Sequence, residues 1–142
     1  GVRTPIPWDA DAPHAGFSTA EPWIPVAGQH LPAAVTAQDA DPDSVLNFFR
    51  ALMRWRRALP VLRLGEEVSH RDVPAPLIVF DRTDGSAALT VALNVSLEER
   101  WLTVGAPARV MEGVPGATGE MGDHGLRLPG LGFAVIDRTP EA

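Results

Sequence analysis

Arg3-Thr4-Pro5-Ile6-Pro7-Trp8-Asp9, followed by Ala15-Gly16-Phe17-Ser18 and Glu21-Pro22-Trp23-Ile24-Pro25-Val26, opens the chain and decides how the rest is read. Two tryptophans, five prolines and a phenylalanine fall within the first 26 residues, ahead of any periodic segment. Each proline fixes its own φ and drives the residue before it toward extended conformations, so this is shaped, non-helical chain. A tryptophan-rich, proline-stiffened loop with no core of its own has to lie against something. Two readings follow: an arm that covers the core of its own domain, or a wall of a binding site on a partner polypeptide.

Outward from that loop, residues 1 to about 40 read as irregular structure, long enough to be functional or to belong to a larger body. One helix is expected from near Asp43. Asp41, Asp43 and Ser44 offer N-cap side chains, and Pro42 suits the entry. Apolar residues at 45, 48, 49, 52 and 59, with Met53 and Trp55 nearby, make a helical stripe that Pro60 ends. Phe48, Phe49 and Leu52 on that stripe read as a packing face.

After Gly65 the texture changes to short β-like runs. Residues 67–70, 77–81, 87–94, 100–104, 108–111, 126–128 and 132–137 are the strand candidates, with Asp84-Gly85 as a hairpin turn. Short strands punctuated at this spacing predict an antiparallel sandwich. A domain boundary is expected near residues 62–66.

With 142 residues the chain has room for one sizeable core, and its 45% apolar and 21% charged residues are an ordinary globular balance. A net charge of −6 argues against a binder of nucleic-acid backbone. The cluster Arg50, Arg54, Arg56 and Arg57 lies on the expected helix and reads as a solvated or partner-facing stripe. Cysteine is absent, so there is no disulfide frame and no thiolate metal site. No apolar run approaches the ~20 residues that span a membrane, and no signal-like segment opens the sequence. The expected location is cytoplasmic.

The opening stretch resembles a loop of the α-glucosidases and oligo-1,6-glucosidases of glycoside hydrolase family 13, the α-amylase superfamily. The family pattern is close to Arg-Asp-Gly-x-Arg-Thr-Pro-Met-Gln/Pro-Trp-Asp, then Ala-Gly-Phe-Ser/Thr, then Pro-Trp-Leu/Ile-Pro-Val. Here it stands as Gly1 to Asp9, Ala15 to Ser18 and Pro22 to Val26, with Ile6 in place of the usual Met and no Arg-Asp before Gly1. The missing dipeptide suggests a chain cut, or encoded separately, just inside the motif. The resemblance runs on through Asp41-Pro42-Asp43-Ser44-Val45-Leu46-Asn47-Phe48-Phe49-Arg50 and Leu52 to Gly65. It is close over roughly the first 65 residues and looser beyond.

The resemblance implies a mainly β chain in two parts. Residues 1–62 would be the last loop and final helix of a catalytic (β/α)8 barrel. Residues 63–142 would be a C-terminal antiparallel β-sandwich. The activity implied is that of a retaining, exo-acting α-glucosidase that hydrolyses terminal α-linked glucose or transfers it to an acceptor. Its partners would be an N-terminal catalytic barrel chain of the same enzyme and an α-glucoside or oligosaccharide substrate, with no nucleic acid and no membrane.

Glycoside hydrolysis generally needs two carboxylates flanking the scissile bond. The family's catalytic motifs lie upstream of this segment, so no catalytic residue is assigned in this chain. Asp9, Asp11, Glu21, Asp39, Asp41 and Asp43 read as caps, turns or surface residues. Arg3 is the expected substrate-binding residue. In the family the Arg before Thr-Pro pairs with an Asp of an early barrel loop and grips hydroxyls of the terminal glucose. A planar guanidinium suits both a carboxylate and a vicinal diol. An ion pair that only holds the loop is the plainer role. Trp8 and Trp23 would pack against the barrel or stack on sugar faces.

His14, His30, His70 and His124 lack ligand spacing, so no metal site is expected and no cofactor is evident. Gly113 to Gly125 is glycine-rich without the Gly-Lys-Ser/Thr of a phosphate loop. The competing function is a stand-alone, non-catalytic β-sandwich that binds carbohydrate or another protein.

Overall fold

The computed structural model describes residues 3–140. Its chain divides into two units, Gly1–Ala51 and Leu52–Ala142, parted in the middle of the long helix.

In the first unit, 3₁₀ turns at Pro13–Gly16 and Gly28–Ala33 punctuate otherwise irregular chain. A short helix, α1, spans Val35–Ala40, and the helix expected from Asp43 is α2, Val45–Ala58. It begins two residues later than Asp43 because Ser44 is the cap: its Oγ accepts the Asn47 N–H at 3.2 Å. The same hydroxyl donates to the Gln38 carbonyl at 2.6 Å. Asn47 Nδ2 donates to the carbonyls of Gln38 at 3.0 Å and Asp41 at 2.8 Å, satisfying backbone acceptors left over at the end of α1. Arg50 pairs with Asp39 across this corner. No residue of α2 is fully buried: of the expected packing face Phe48 and Phe49 stay exposed, with Val45, while Leu52 is half-buried.

Pro60 ends α2 and also starts a further short helix, α3, Pro60–Leu64, which the sequence reading did not expect. Pro is well placed there, since the first helical turn has no acceptor for its missing N–H.

Beyond Gly65 the described residues form eight strands: β1 Glu66–Ser69, β2 Leu77–Thr83, β3 Ala88–Asn94, β4 Arg100–Leu102, β5 Arg109–Val110, β6 Glu120–Gly122, β7 Gly125–Leu128 and β8 Phe133–Asp137. Of these, β6 has no counterpart in the seven expected runs. They form two sheets, ordered β1-β2-β3-β8-β5 and β4-β7-β6, and every pairing is antiparallel. The Asp84-Gly85 turn joins β2 to β3. Asp84 Oδ1 accepts Ser86 N–H at 3.0 Å and Ala87 N–H at 2.9 Å, and Thr83 sits opposite Ala88.

The alternation sorts side chains by face. Leu77, Val79, Ala92, Ala134 and Ile136 from the large sheet meet Leu126 and Leu128 of β7, the core of a β-sandwich. The opposite face of the large sheet presents Leu89 and Val135, which pack with Val61 and Leu62 of α3 and with Val114. Trp55 and Leu59 join that second cluster. The large sheet is therefore covered on both sides, as its almost continuous apolar run at 88–94 requires. Among the described residues no helix is long and apolar enough to cross a membrane.

Candidate functional site

The Arg-Thr-Pro loop is set by its prolines. Pro5 and Pro7 are buried while Arg3, Ile6 and Trp8 between and around them are exposed. From Pro5 to Trp8 buried and exposed residues alternate as along an extended strand, produced here by fixed φ rather than by a sheet. The backbone is tied at both ends of Trp8. Its N–H donates to the Ala15 carbonyl at 2.8 Å, and its carbonyl accepts the Thr36 N–H at 3.0 Å. The Pro7 carbonyl accepts the Val35 N–H at 3.0 Å.

Against this strand lies a left-handed turn. His14 and Ala15 both have φ 53°, and Gly16 follows at φ 67°. Each non-glycine residue in that region costs about 1–2 kcal/mol, so surrounding bonds must hold it. They do: the Ala15 carbonyl takes the N–H groups of both Trp8 and Asp9, and Ala15 is buried. Gly16 is required doubly, because a Cβ there would lie 3.3 Å from Trp8 Cβ and from Asp9 N. The turn shapes an open hollow of about 520 Å3 lined by Ala12, Pro13, Gly16, Phe17, Ser18 and Thr19. The sequence reading quoted Ala-Gly-Phe without seeing the hollow. Only Gly16 advertises the turn; His14 and Ala15 carry no signal of their unusual backbone.

Arg3 is exposed, and no ion pair among the described residues uses it. Trp8 and Trp23 are also exposed, at 53% and 97%, so this unit does not fold its tryptophans inward. The acidic residues take local roles. Asp9 Oδ1 accepts the Asp11 N–H at 3.0 Å, Asp41 Oδ1 accepts the Asp43 N–H at 2.9 Å, and Asp39 pairs with Arg50. Among the described residues no group of three His, Asp or Glu side chains is placed to hold a metal ion. What the unit offers chemically is an exposed guanidinium and exposed aromatic rings on a braced loop.

The chain is similar to α-glucosidases and to a glucosyl transfer enzyme. The α-amylase catalytic-domain family matches residues 1–65. A probable α-glucosidase of Rhizobium meliloti is 35% identical over 134 residues, covering 93% of this chain and 24% of that protein. The oligo-1,6-glucosidase of Parageobacillus thermoglucosidasius is 34% identical over 96 residues, 67% of this chain and 17% of its own length. Among solved structures, the α-glucosyl transfer enzyme XgtA superposes with a TM-score of 0.86 at 36% identity, over 97% of this chain and 26% of XgtA. The chain belongs to the α-amylase family of glycoside hydrolases. It spans about a quarter of the length of the α-glucosidase and of the transfer enzyme it matches.

Proposed function

We propose that this chain is the C-terminal part of a retaining, exo-acting α-glucosidase. It would supply the last loop and final helix of the barrel (residues 1–62) and the C-terminal sandwich (residues 63–142). The observation that carries the reading is the alignment to an α-glucosidase along 93% of the chain, with the Arg3-Thr4-Pro5 loop at its head. The carboxylates that break the glycosidic bond belong to the remainder of the enzyme, and a covalent glucosyl-enzyme forms there. The enzyme works in the cytoplasm, on a terminal α-linked glucose of a glucoside or oligosaccharide.

Arg3 positions the substrate. Its exposed guanidinium pairs with a carboxylate of the barrel and donates to hydroxyls of the terminal glucose, which fixes the sugar for attack. The glucosyl group then passes to water or to an acceptor hydroxyl. Likeness to a glucosyl transfer enzyme supports keeping transfer within the reading.

Arg3→Ala in the complete enzyme tests this directly. Loss of a charged hydrogen bond to substrate should lower kcat/KM for an aryl α-glucoside by roughly 10- to 100-fold. An unchanged kcat/KM sinks the role of Arg3. Absence of α-glucosidase activity in the complete protein sinks the whole reading. It would return the chain to the alternative, a sandwich that binds carbohydrate or a protein without cleaving anything.

A further inference from the structure

The outer face of the small sheet carries a row that no part of the sandwich uses. Register places Trp101 of β4 opposite Arg127 of β7, and Arg127 opposite Glu120 of β6. The three side chains therefore stand side by side on one face, while Leu126 and Leu128 point into the core. Arg127 is clamped from both sides. Its guanidinium lies 2.8 Å from Glu99 Oε2 and 2.5 Å from Glu120 Oε1. The bond to Glu99 first, and that to Glu120 next, hold it more firmly protonated than usual.

Trp101 is held just as firmly. Its Nε1–H donates to Glu99 Oε1 at 3.2 Å, and His124 meets its ring edge-on with centroids 5.7 Å apart. Its six-membered ring rests against Gly122, where a Cβ would come within 3.1 Å of Cη2 and Cζ3. Any larger residue there would push the ring away. Even so, 41% of Trp101 remains in water. An aromatic ring fixed by three neighbours, half out of solvent and idle in the core is a built surface.

The geometry points to a carbohydrate-binding surface here, separate from the Arg3 loop, which stacks a pyranose of an α-linked gluco-oligosaccharide on Trp101. A rigid aromatic anchor costs little entropy on binding, and its face suits the C–H side of a sugar ring. Glu99, Glu120 and Arg127, already aligned, exchange hydrogen bonds with the ring's hydroxyls. Two carboxylates to one guanidinium leave the row net negative, which disfavours a polyanion, and with the guanidinium paired on both sides the row suits a neutral, hydroxyl-rich ligand. The choice of an α-glucan rests on the α-glucosidase reading; the existence of the surface does not.

The test uses the complete enzyme and cyclomaltoheptaose, a ring of α-linked glucose. Having no chain end, it cannot enter a pocket that accepts only a terminal glucose. Calorimetric titration should show binding by the wild type that weakens about tenfold or more in Trp101→Ala and is largely retained in Trp101→Tyr, which keeps a ring. Cleavage of a small aryl α-glucoside should be equal in all three proteins. No binding by the wild type, or equal binding by wild type and Trp101→Ala, overturns the proposal. So does equal loss in the Ala and Tyr variants, which would mean that the ring is not the contact. Failure of the α-glucosidase reading shows separately, as absent cleavage of the aryl glucoside whatever the titration gives.

Discussion

In the unit Leu52–Ala142, Leu126, Leu128 and Ile136 have no surface in water, whereas in the unit Gly1–Ala51 Trp23 is 97% and Phe49 56% exposed. The same residue class is spent in opposite ways. The sandwich buries its apolar side chains between its own sheets and under α3. The first unit buries little beyond Ala15, Ala34 and two prolines, and holds its shape by backbone hydrogen bonds and side-chain caps. One unit is a body with a core. The other is a braced surface whose large rings, Trp8, Phe17, Trp23, Phe48 and Phe49, stay exposed.

The hardest blow to that contrast would come from the sandwich. Leu128→Ala removes a fully buried side chain where the two sheets meet, and should cost about 2–5 kcal/mol in urea unfolding. A cost below ~1 kcal/mol would mean that the core is not where the stability lies. In the first unit the corresponding weak point is polar. Ser44→Ala deletes the cap of α2 and the bond to Gln38, and should cost about 1 kcal/mol. Hydrogen exchange at Asn47, whose N–H loses its acceptor, checks it locally.

Acid separates the units further. The Thr139 N–H first, then its side chain and the Arg109 guanidinium, hold the Asp137 carboxyl below the ordinary carboxylate range. A carboxyl with a lowered folded pKa contributes stability above its unfolded pKa, about 3.9, and that contribution is lost as pH falls through the lower folded value. Asp137→Asn should therefore be less stable than wild type at neutral pH, with the gap closing below about pH 4. A gap that stays constant across that range removes Asp137 from the account.

Much of this was readable in residues, and the failures have physical causes. The strand runs at 77–81, 87–94 and 132–137 emerged because burial keeps them apolar between polar turns. Strand β6 did not, because Glu120, Met121 and Gly122 are all exposed, and β6 exists through backbone pairing to β7 rather than through any pattern. Helix α3 is five residues long, too short to show a period, and its Pro60 read as a stop before it read as a start. The role proposed for Arg3 rests on resemblance to a family, since nothing local marks one arginine among its kind. The row of Trp101, Arg127 and Glu120 was invisible altogether. Its members are brought together by the sheet order β4-β7-β6, and sheet order is not written in any one stretch of chain.

The smallest expected effect is also the sharpest test of the contrast. Phe49→Ser strips an aromatic ring from α2, a change that would cost several kcal/mol in a core. Phe49 is not in a core of this chain, so in the 142-residue polypeptide the urea midpoint should move by no more than ~0.5 kcal/mol equivalent. The monomer fraction in sedimentation should rise, because a sticky face has been made polar. If the proposed barrel covers this face, the same substitution in the longer protein should destabilise clearly. A large loss in the short polypeptide would show that Phe49 is already covered, and the two units would no longer differ in kind. Equal, negligible losses in both proteins would mean that the face stays in water throughout, and the helix would lose its place in a barrel wall.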